Sequence, residues 1–213
     1  MDFIRACENN DIELAKTYPI PDQQTLKQIF LDMCRYGHLE SAKWLHILNP
    51  NILDADAFIY TCFYNNFNIA KWMHTLGVDI SYNDNSAFIN ACLNNHLELA
   101  IWLYELGVNI ADQHNLALKG SCYYNNINIV KWLIDIYYKY GSYIYFENYT
   151  SCKDEIKNLL IDNNLIDPST LSEADLAYYL ARTDNFVPSD FTTPHEGFNV
   201  KYRGKHTKAA PRE

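Results

Sequence analysis

The run Ala87-Phe88-Ile89-Asn90-Ala91-Cys92-Leu93-Asn94-Asn95-His96-Leu97-Glu98-Leu99-Ala100-Ile101-Trp102-Leu103-Tyr104-Glu105-Leu106-Gly107 decides the fold, because the chain repeats it. One copy earlier stands Ala57-Phe58-Ile59-Tyr60-Thr61-Cys62-Phe63-Tyr64-Asn65-Asn66-Phe67-Asn68-Ile69-Ala70-Lys71-Trp72-Met73. The cysteines fall at Cys7, Cys34, Cys62, Cys92, Cys122 and Cys152, at intervals of 27, 28, 30, 30 and 30 residues. Trp44, Trp72, Trp102 and Trp132 each follow a cysteine by ten residues. Self-similarity at such a period is the signature of a stacked-repeat solenoid.

Each unit reads as two short helices. Ala87, Phe88, Ala91 and Cys92 make one apolar stripe at helical spacing, after Asn85 and Ser86, either of which suits a helix cap. Asn94-Asn95 breaks that helix, since Asn tolerates the left-handed conformation of a tight turn. Leu99, Ala100, Leu103 and Leu106 form the stripe of a second helix, and Gly107 stands where a left-handed residue ends it, as Gly77 does one copy earlier. Neither helix can bury its apolar face alone, so each pair must stack on the next.

The remaining composition fits this reading. The 213 residues are 48% hydrophobic and 20% charged, with 17 Tyr, 10 Phe and only seven Gly and seven Pro, which excludes collagen-like and low-complexity classes. No apolar run approaches the roughly 18 residues of a spanning helix, and Met1-Asp2-Phe3-Ile4-Arg5-Ala6-Cys7-Glu8 mixes charge where a signal peptide needs an apolar segment. The expectation is a soluble protein without a membrane partner. The formal charge of −9 is uneven: residues 195–213 hold five Lys/Arg against two Glu, leaving 12 Lys/Arg against 24 Asp/Glu before them. An acidic body of net −12 repels nucleic acid.

Six cysteines at a repeat period read as core thiols rather than as metal ligands or disulfides. Equivalent positions in stacked helices lie about 8–10 Å apart, beyond the roughly 7 Å Cα limit for a disulfide. Such thiols belong to a reducing compartment, the cytoplasm. His38 and His96 recur at the turn between helices, where an imidazole can bond backbone groups. His46 and His74 each follow a Trp by two residues and are too widely spaced to share a zinc ion. Asp54, Asp56, Asp79 and Asp84 suit solvated loops better than a catalytic pair. No phosphate loop, dinucleotide fingerprint or nucleophile elbow appears, so no enzyme, metal site or cofactor is expected.

The stretch Ala91 to Ile110 resembles the ankyrin-repeat pattern Ala-Ala-x-x-Gly-His-Leu-Glu-Val-Val-x-x-Leu-Leu-x-x-Gly-Ala-Asp-Val, and Arg35-Tyr36-Gly37-His38-Leu39-Glu40 matches its middle closely. The resemblance runs over roughly residues 3–140. It implies an all-α solenoid of helix-turn-helix repeats and a role in binding other proteins. The period is about three residues short of the usual 33, and the family's Thr-Pro-Leu-His turn is replaced by segments such as Ser86-Ala87-Phe88-Ile89. That departure implies reduced hairpin fingers and a shallower groove. The Asn-, Ile- and Tyr-rich wording is similar to the divergent ankyrin proteins of giant DNA viruses of the mimivirus type, which would place the chain in host cytoplasm or virion.

In ankyrin-like stacks the two positions after each cysteine face the concave side. Here they are Arg35 and Tyr36, Phe63 and Tyr64, Leu93 and Asn94, Tyr123 and Tyr124, five aromatics in eight. Tyr and Phe are common interface anchors, so these eight residues are the expected partner-binding surface; the alternative is that they lie flat as partial core. The expected organisation is five repeats over residues 1–140, the first truncated by Thr17-Tyr18-Pro19-Ile20-Pro21. A degenerate repeat with capping helices follows over 141–185, with helices starting near Ser151-Cys152 and Ser172, and a basic tail over 186–213. In that tail Lys201, Tyr202, Arg203, Lys205 and Lys208 would suit RNA or an acidic surface. The leading function is a noncatalytic scaffold or adaptor binding another protein; the alternative is a structural subunit of a nucleoprotein or other large assembly anchored by the tail.

Overall fold

A computed structural model describes residues 2–110, 112–139, 152–163, 165–166 and 170–182. The basic tail, Lys201 to Lys208 included, lies outside the described residues, as do residues 140–151. Among the described residues every regular element is helical. Five antiparallel pairs run in chain order: α1 (Phe3–Glu8) with α2 (Ile12–Ala15), α3 (Gln23–Tyr36) with α4 (Leu39–Leu48), and α5 (Ala55–Phe63) with α6 (Phe67–Thr75). They continue with α7 (Tyr82–Leu93) and α8 (Leu97–Glu105), then α9 (Asp112–Tyr123) and α10 (Ile127–Lys139). First helices pack on first helices, α1 on α3, α3 on α5, α5 on α7 and α7 on α9. The first pair is short, six and four residues.

The chain divides into two units, Met1–Asp167 and Pro168–Glu213. α11 (Asp154–Asp162) belongs to the first unit, carries Asp154 and Glu155 in its first turn where they complement the helix dipole, and contacts α10. α12 (Glu173–Arg182) belongs to the second and begins at Ser172, whose Oγ accepts from the Asp175 N–H at 3.2 Å.

The core consists of columns of equivalent residues. Phe3, Phe30, Phe58, Phe88 and Leu118 stand four residues before the cysteines, and all are buried. Cys7, Cys34, Cys62, Cys92 and Cys122 form a second buried column, and Leu45, Met73, Leu103 and Leu133, one residue after each Trp, form another. Because every column advances by one helix-packing step per repeat, burial is shared between neighbours and no repeat owns a complete core. Buried polar residues beside these columns find partners: Thr61 Oγ1 donates to the Ala57 carbonyl of its own helix at 2.8 Å and Ser41 Oγ to Asn10 Oδ1 of the preceding repeat at 2.7 Å.

One turn geometry ends every first helix. The residue three after each cysteine is left-handed: Asn10 (φ 56°), Gly37 (78°), Asn65 (59°), Asn95 (61°) and Asn125 (60°). The next backbone N–H then reaches back to the helix, as in Asn66 N to Thr61 O at 3.1 Å, His96 N to Ala91 O at 2.9 Å and Asn126 N to Ser121 O at 2.8 Å. This is the Schellman closure, and Asn and Gly occupy its left-handed position because other side chains clash there. Gly77 (φ 82°) and Gly107 (φ 96°) do the same after α6 and α8.

Two expectations need correction. Asn85 and Ser86 do not open the first helix as simple caps. Asn83, Asp84 and Asn85 are all left-handed, Asn85 is buried, and Ser86 Oγ donates to the Asn83 carbonyl at 2.6 Å. This left-handed turn stands where a family finger would project. Nor are the thiols evenly spaced to the end. All six are free and buried, but Cys152, just ahead of α11, interacts with Cys122, closer than the helix-packing step expected between successive thiols.

Candidate partner-binding face

The residue after the Schellman turn closes the first helix and leads into the second, and in the third, fourth and fifth pairs its side chain serves the pair before. His96 and Asn66 make no side-chain cap on α8 and α6. Instead Asn66 Nδ2 donates to the carbonyls of Cys34 and Arg35, and Asn126 Nδ2 donates to those of Cys92 (3.0 Å) and Leu93 (2.7 Å). His96 Nε2 donates to the Phe63 carbonyl at 2.9 Å, which keeps its proton on that nitrogen. Each side chain thus caps the C-terminal carbonyls of the preceding repeat's first helix, where four carbonyls lack intrahelical partners. In the first pair the equivalent Asp11 instead turns to its own helix and accepts from Leu14 N at 3.0 Å. The structural reading of His96 holds.

These bonds fix the C-terminal turns of α3, α5 and α7, and so aim the two residues after each cysteine. Arg35, Tyr36, Phe63, Tyr123 and Tyr124 are exposed; Tyr64, Leu93 and Asn94 are half-buried. Tyr36 is 53% exposed, Phe63 41%, Tyr123 66% and Tyr124 60%, large values for aromatics. They gather in two places. At the first, the Arg35 guanidinium lies over the Tyr64 ring at 5.2 Å and the Tyr36 ring at 5.6 Å, joining α3 to the end of α5. Phe63 and Tyr64 meet edge-on at 4.9 Å. At the second, Tyr123 and Tyr124 stand perpendicular, with centroids 5.2 Å apart and an interplanar angle of 88°.

Between the two the row of aromatics is interrupted. Leu93 fills space that only a glycine leaves: a Cβ on Gly120 would lie 2.0 Å from Leu93 Cδ2. Asn94 Nδ2 folds back to the Asn90 carbonyl at 2.9 Å. In this repeat Leu93 packs against Gly120 and Asn94 bonds its own helix. Tyr60, which the two-residue rule does not include, belongs to the first cluster. It lies one turn before Tyr64, meets it edge-on at 4.9 Å and shares a hydrogen bond with it that pushes the Tyr60 phenol up. Helical i, i+4 spacing of two tyrosines is the signal for it.

The tryptophans do other work. Trp44, Trp72, Trp102 and Trp132 are half-buried and project onto the preceding repeat. Trp72 meets His46 edge-on at 5.7 Å, Trp102 meets His74 at 5.7 Å and Trp132 meets Tyr104 at 5.8 Å. Trp44 packs on Phe3 at 5.6 Å. His46 and His74 are thus ring contacts in the stack. Asp54 caps α5 through Ala57 N (2.9 Å) and pairs with Lys27, and Asp79 accepts from Ser81 in a loop. Among the described residues no group of three His, Cys, Asp or Glu is placed to hold a metal ion, and no helix is long and apolar enough to cross a membrane.

Paired helices stacked in one direction, closed by Schellman turns and laced by caps from one repeat to the one before, define a helical-repeat solenoid of the kind that binds other proteins. The family model of ankyrin repeats in three copies matches residues 29–114 and 58–144, more than half of the chain. The chain belongs to the ankyrin-repeat family, whose members serve as protein–protein interaction modules and are typically noncatalytic. No curated protein sequence matches it.

Proposed function

We propose that the chain is a noncatalytic adaptor that holds another protein on the exposed face of its first helices, through Arg35, Tyr36, Phe63, Tyr64, Tyr123 and Tyr124, with Leu93 and Asn94 forming the floor between them. The observation that carries the reading is the exposure of Tyr36, Phe63, Tyr123 and Tyr124 on one helix layer of a protein whose other repeated aromatics are buried or half-buried. Exposed aromatics gathered in this way mark interaction surfaces. A giant-virus source, with action in the host cytoplasm or virion, is part of the proposal and rests on the wording of the repeats alone. The test compares the full chain with two double variants, Phe63→Ser/Tyr64→Ser and Tyr123→Ser/Tyr124→Ser, in affinity capture read by mass spectrometry. A third variant neutralises Lys201, Arg203, Lys205 and Lys208. Partners lost from either aromatic variant while the folded state is kept support the face; partners lost only with the tail charges, and sensitive to salt, support the nucleoprotein alternative.

A further inference from the structure

We infer that this face takes one extended peptide segment bearing a single carboxylate, with that carboxylate on Arg35 and an apolar side chain packed against the edge-on pair Tyr123 and Tyr124. The inference rests on the binding role proposed above. Its first support is the state of Arg35. The guanidinium lies over two aromatic rings from successive repeats, an arrangement that orders it before any ligand arrives. Among the described residues the ion pairs are made by lysines, and Arg35 makes none. Asp32, one turn back on α3, is near enough for its charge to act on Tyr60, as the charge of Arg35 does, yet the two do not pair. A planar fork of donors, ordered and without a carboxylate, matches a carboxylate in two-point geometry. Phosphate recognition uses clusters of arginines; a single cation among neutral rings on an acidic body suits a single negative charge.

The second support is the floor. Leu93 is seated against Gly120 and Asn94 is turned back on its own helix, so the middle of the face has no unsatisfied anchor to offer. An amphipathic helix needs apolar contact at every turn along its length. An extended chain needs it only at its anchors, and it can cross a low floor. The third support is the distance between anchors. Arg35 reaches over Tyr64 in the third repeat, and Tyr123 and Tyr124 lie in the fifth; two to three packing steps of about 8–10 Å give roughly 20–25 Å. At about 3.3 Å per residue an extended peptide covers that in roughly six to eight residues.

The probe is a random dodecapeptide library displayed on phage and selected on the full chain, with enriched sequences then synthesised and titrated by fluorescence anisotropy. The expected peptides carry Asp or Glu about six to eight residues from Pro, Leu or an aromatic. Arg35→Gln should weaken them at least tenfold, and should leave unchanged a peptide whose own Glu has become Gln. Tyr123→Ser/Tyr124→Ser should weaken both forms. Circular dichroism melts matching the parent's show that the variants fold. Enriched peptides without an acidic residue, or with one that Arg35→Gln does not affect, overturn the inference while the aromatic variants still vindicate the face. A phosphoserine peptide that binds better than its glutamate form overturns the carboxylate assignment, and an anchor spacing near that of a helix, or no enrichment, overturns the extended ligand. Binding that neither Arg35→Gln nor Tyr123→Ser/Tyr124→Ser changes removes the face itself.

Discussion

Trp72→Ala should uncouple the second repeat from the third. Trp72 belongs to α6, yet both rings it meets, Phe30 at 6.5 Å and His46 at 5.7 Å, belong to the preceding pair. Nothing in its own repeat replaces them. An aromatic buries about 150–250 Å²; taking the low end for a half-buried Trp, at about 25 cal/mol per Å², gives roughly 4 kcal/mol. The unfolded chain already covers part of that area, which brings the expected loss to about 3 kcal/mol. Trp72→Phe keeps a ring in contact and should lose about 1 kcal/mol. The assay is urea unfolding followed by far-ultraviolet circular dichroism, with native-state hydrogen exchange to localise the loss. In a one-dimensional array a weakened junction lets one end open before the other. Amides of α1 to α4 should therefore lose more protection than those of α7 to α10. A variant that melts like the parent, or one whose protection falls evenly along the stack, refutes the idea that the tryptophan brackets this junction.

Asn126→Ala removes the donors to Cys92 O and Leu93 O, and should lower urea-unfolding stability by about 2 kcal/mol, because Ser121 Oγ still serves the Cys92 carbonyl at 3.2 Å. Asn95→Ala, at φ 61°, should lose about 1–2 kcal/mol by the same measurement, whereas Asn95→Gly should be close to neutral. Burial pushes the Cys7 and Cys34 thiols from 9.0 up to about 11 and about 12. Their stabilisation is whole below pH 9, where folded and unfolded thiols are both protonated, and is lost as the unfolded thiols ionise above it. Stability measured from pH 8 upward should fall more steeply in the parent than in Cys7→Ala/Cys34→Ala. Cys152, which its hydrogen bond with Cys122 holds below the ordinary thiol value, should be the first to label with a thiol reagent in the native protein.

The repeat and its two helices were legible because sequence neighbours encode them: the interval between cysteines, the ten-residue step to Trp, and the Asn or Gly that alone fits a left-handed turn. What crosses from one repeat to the next was harder to read. Asn66, His96 and Asn126 share one role, but their partners stand 31 to 34 residues away and their wording differs. A bulky Trp at a fixed position suggests a buried column. The structure makes it a half-exposed bracket, since the column beside it is already filled by Leu45, Met73, Leu103 and Leu133. In the candidate face the two-residue rule found the exposed aromatics. It missed Tyr60, and could not show that Leu93 sinks against Gly120, because a glycine inside a helix does not announce whose side chain it makes room for. Cys152 kept the interval of the other cysteines, and nothing in that interval says that it stands just ahead of α11 and interacts with Cys122.

The caps between repeats all point one way, and this gives the array an arrow of growth. Asn66, His96 and Asn126 each reach toward the N-terminus, so the second, third and fourth repeats depend on their successors to finish their first helices but not on their predecessors. A 30-residue duplication inserted inside the array would present carbonyls to the donor behind it and a donor to the carbonyls ahead, and every new junction would repeat an old one. Loss of the last such repeat would instead strand two acceptors in the one before it. Lengthening by internal copying is therefore the easy direction of change for this chain, and trimming from the C-terminal side is the hard one.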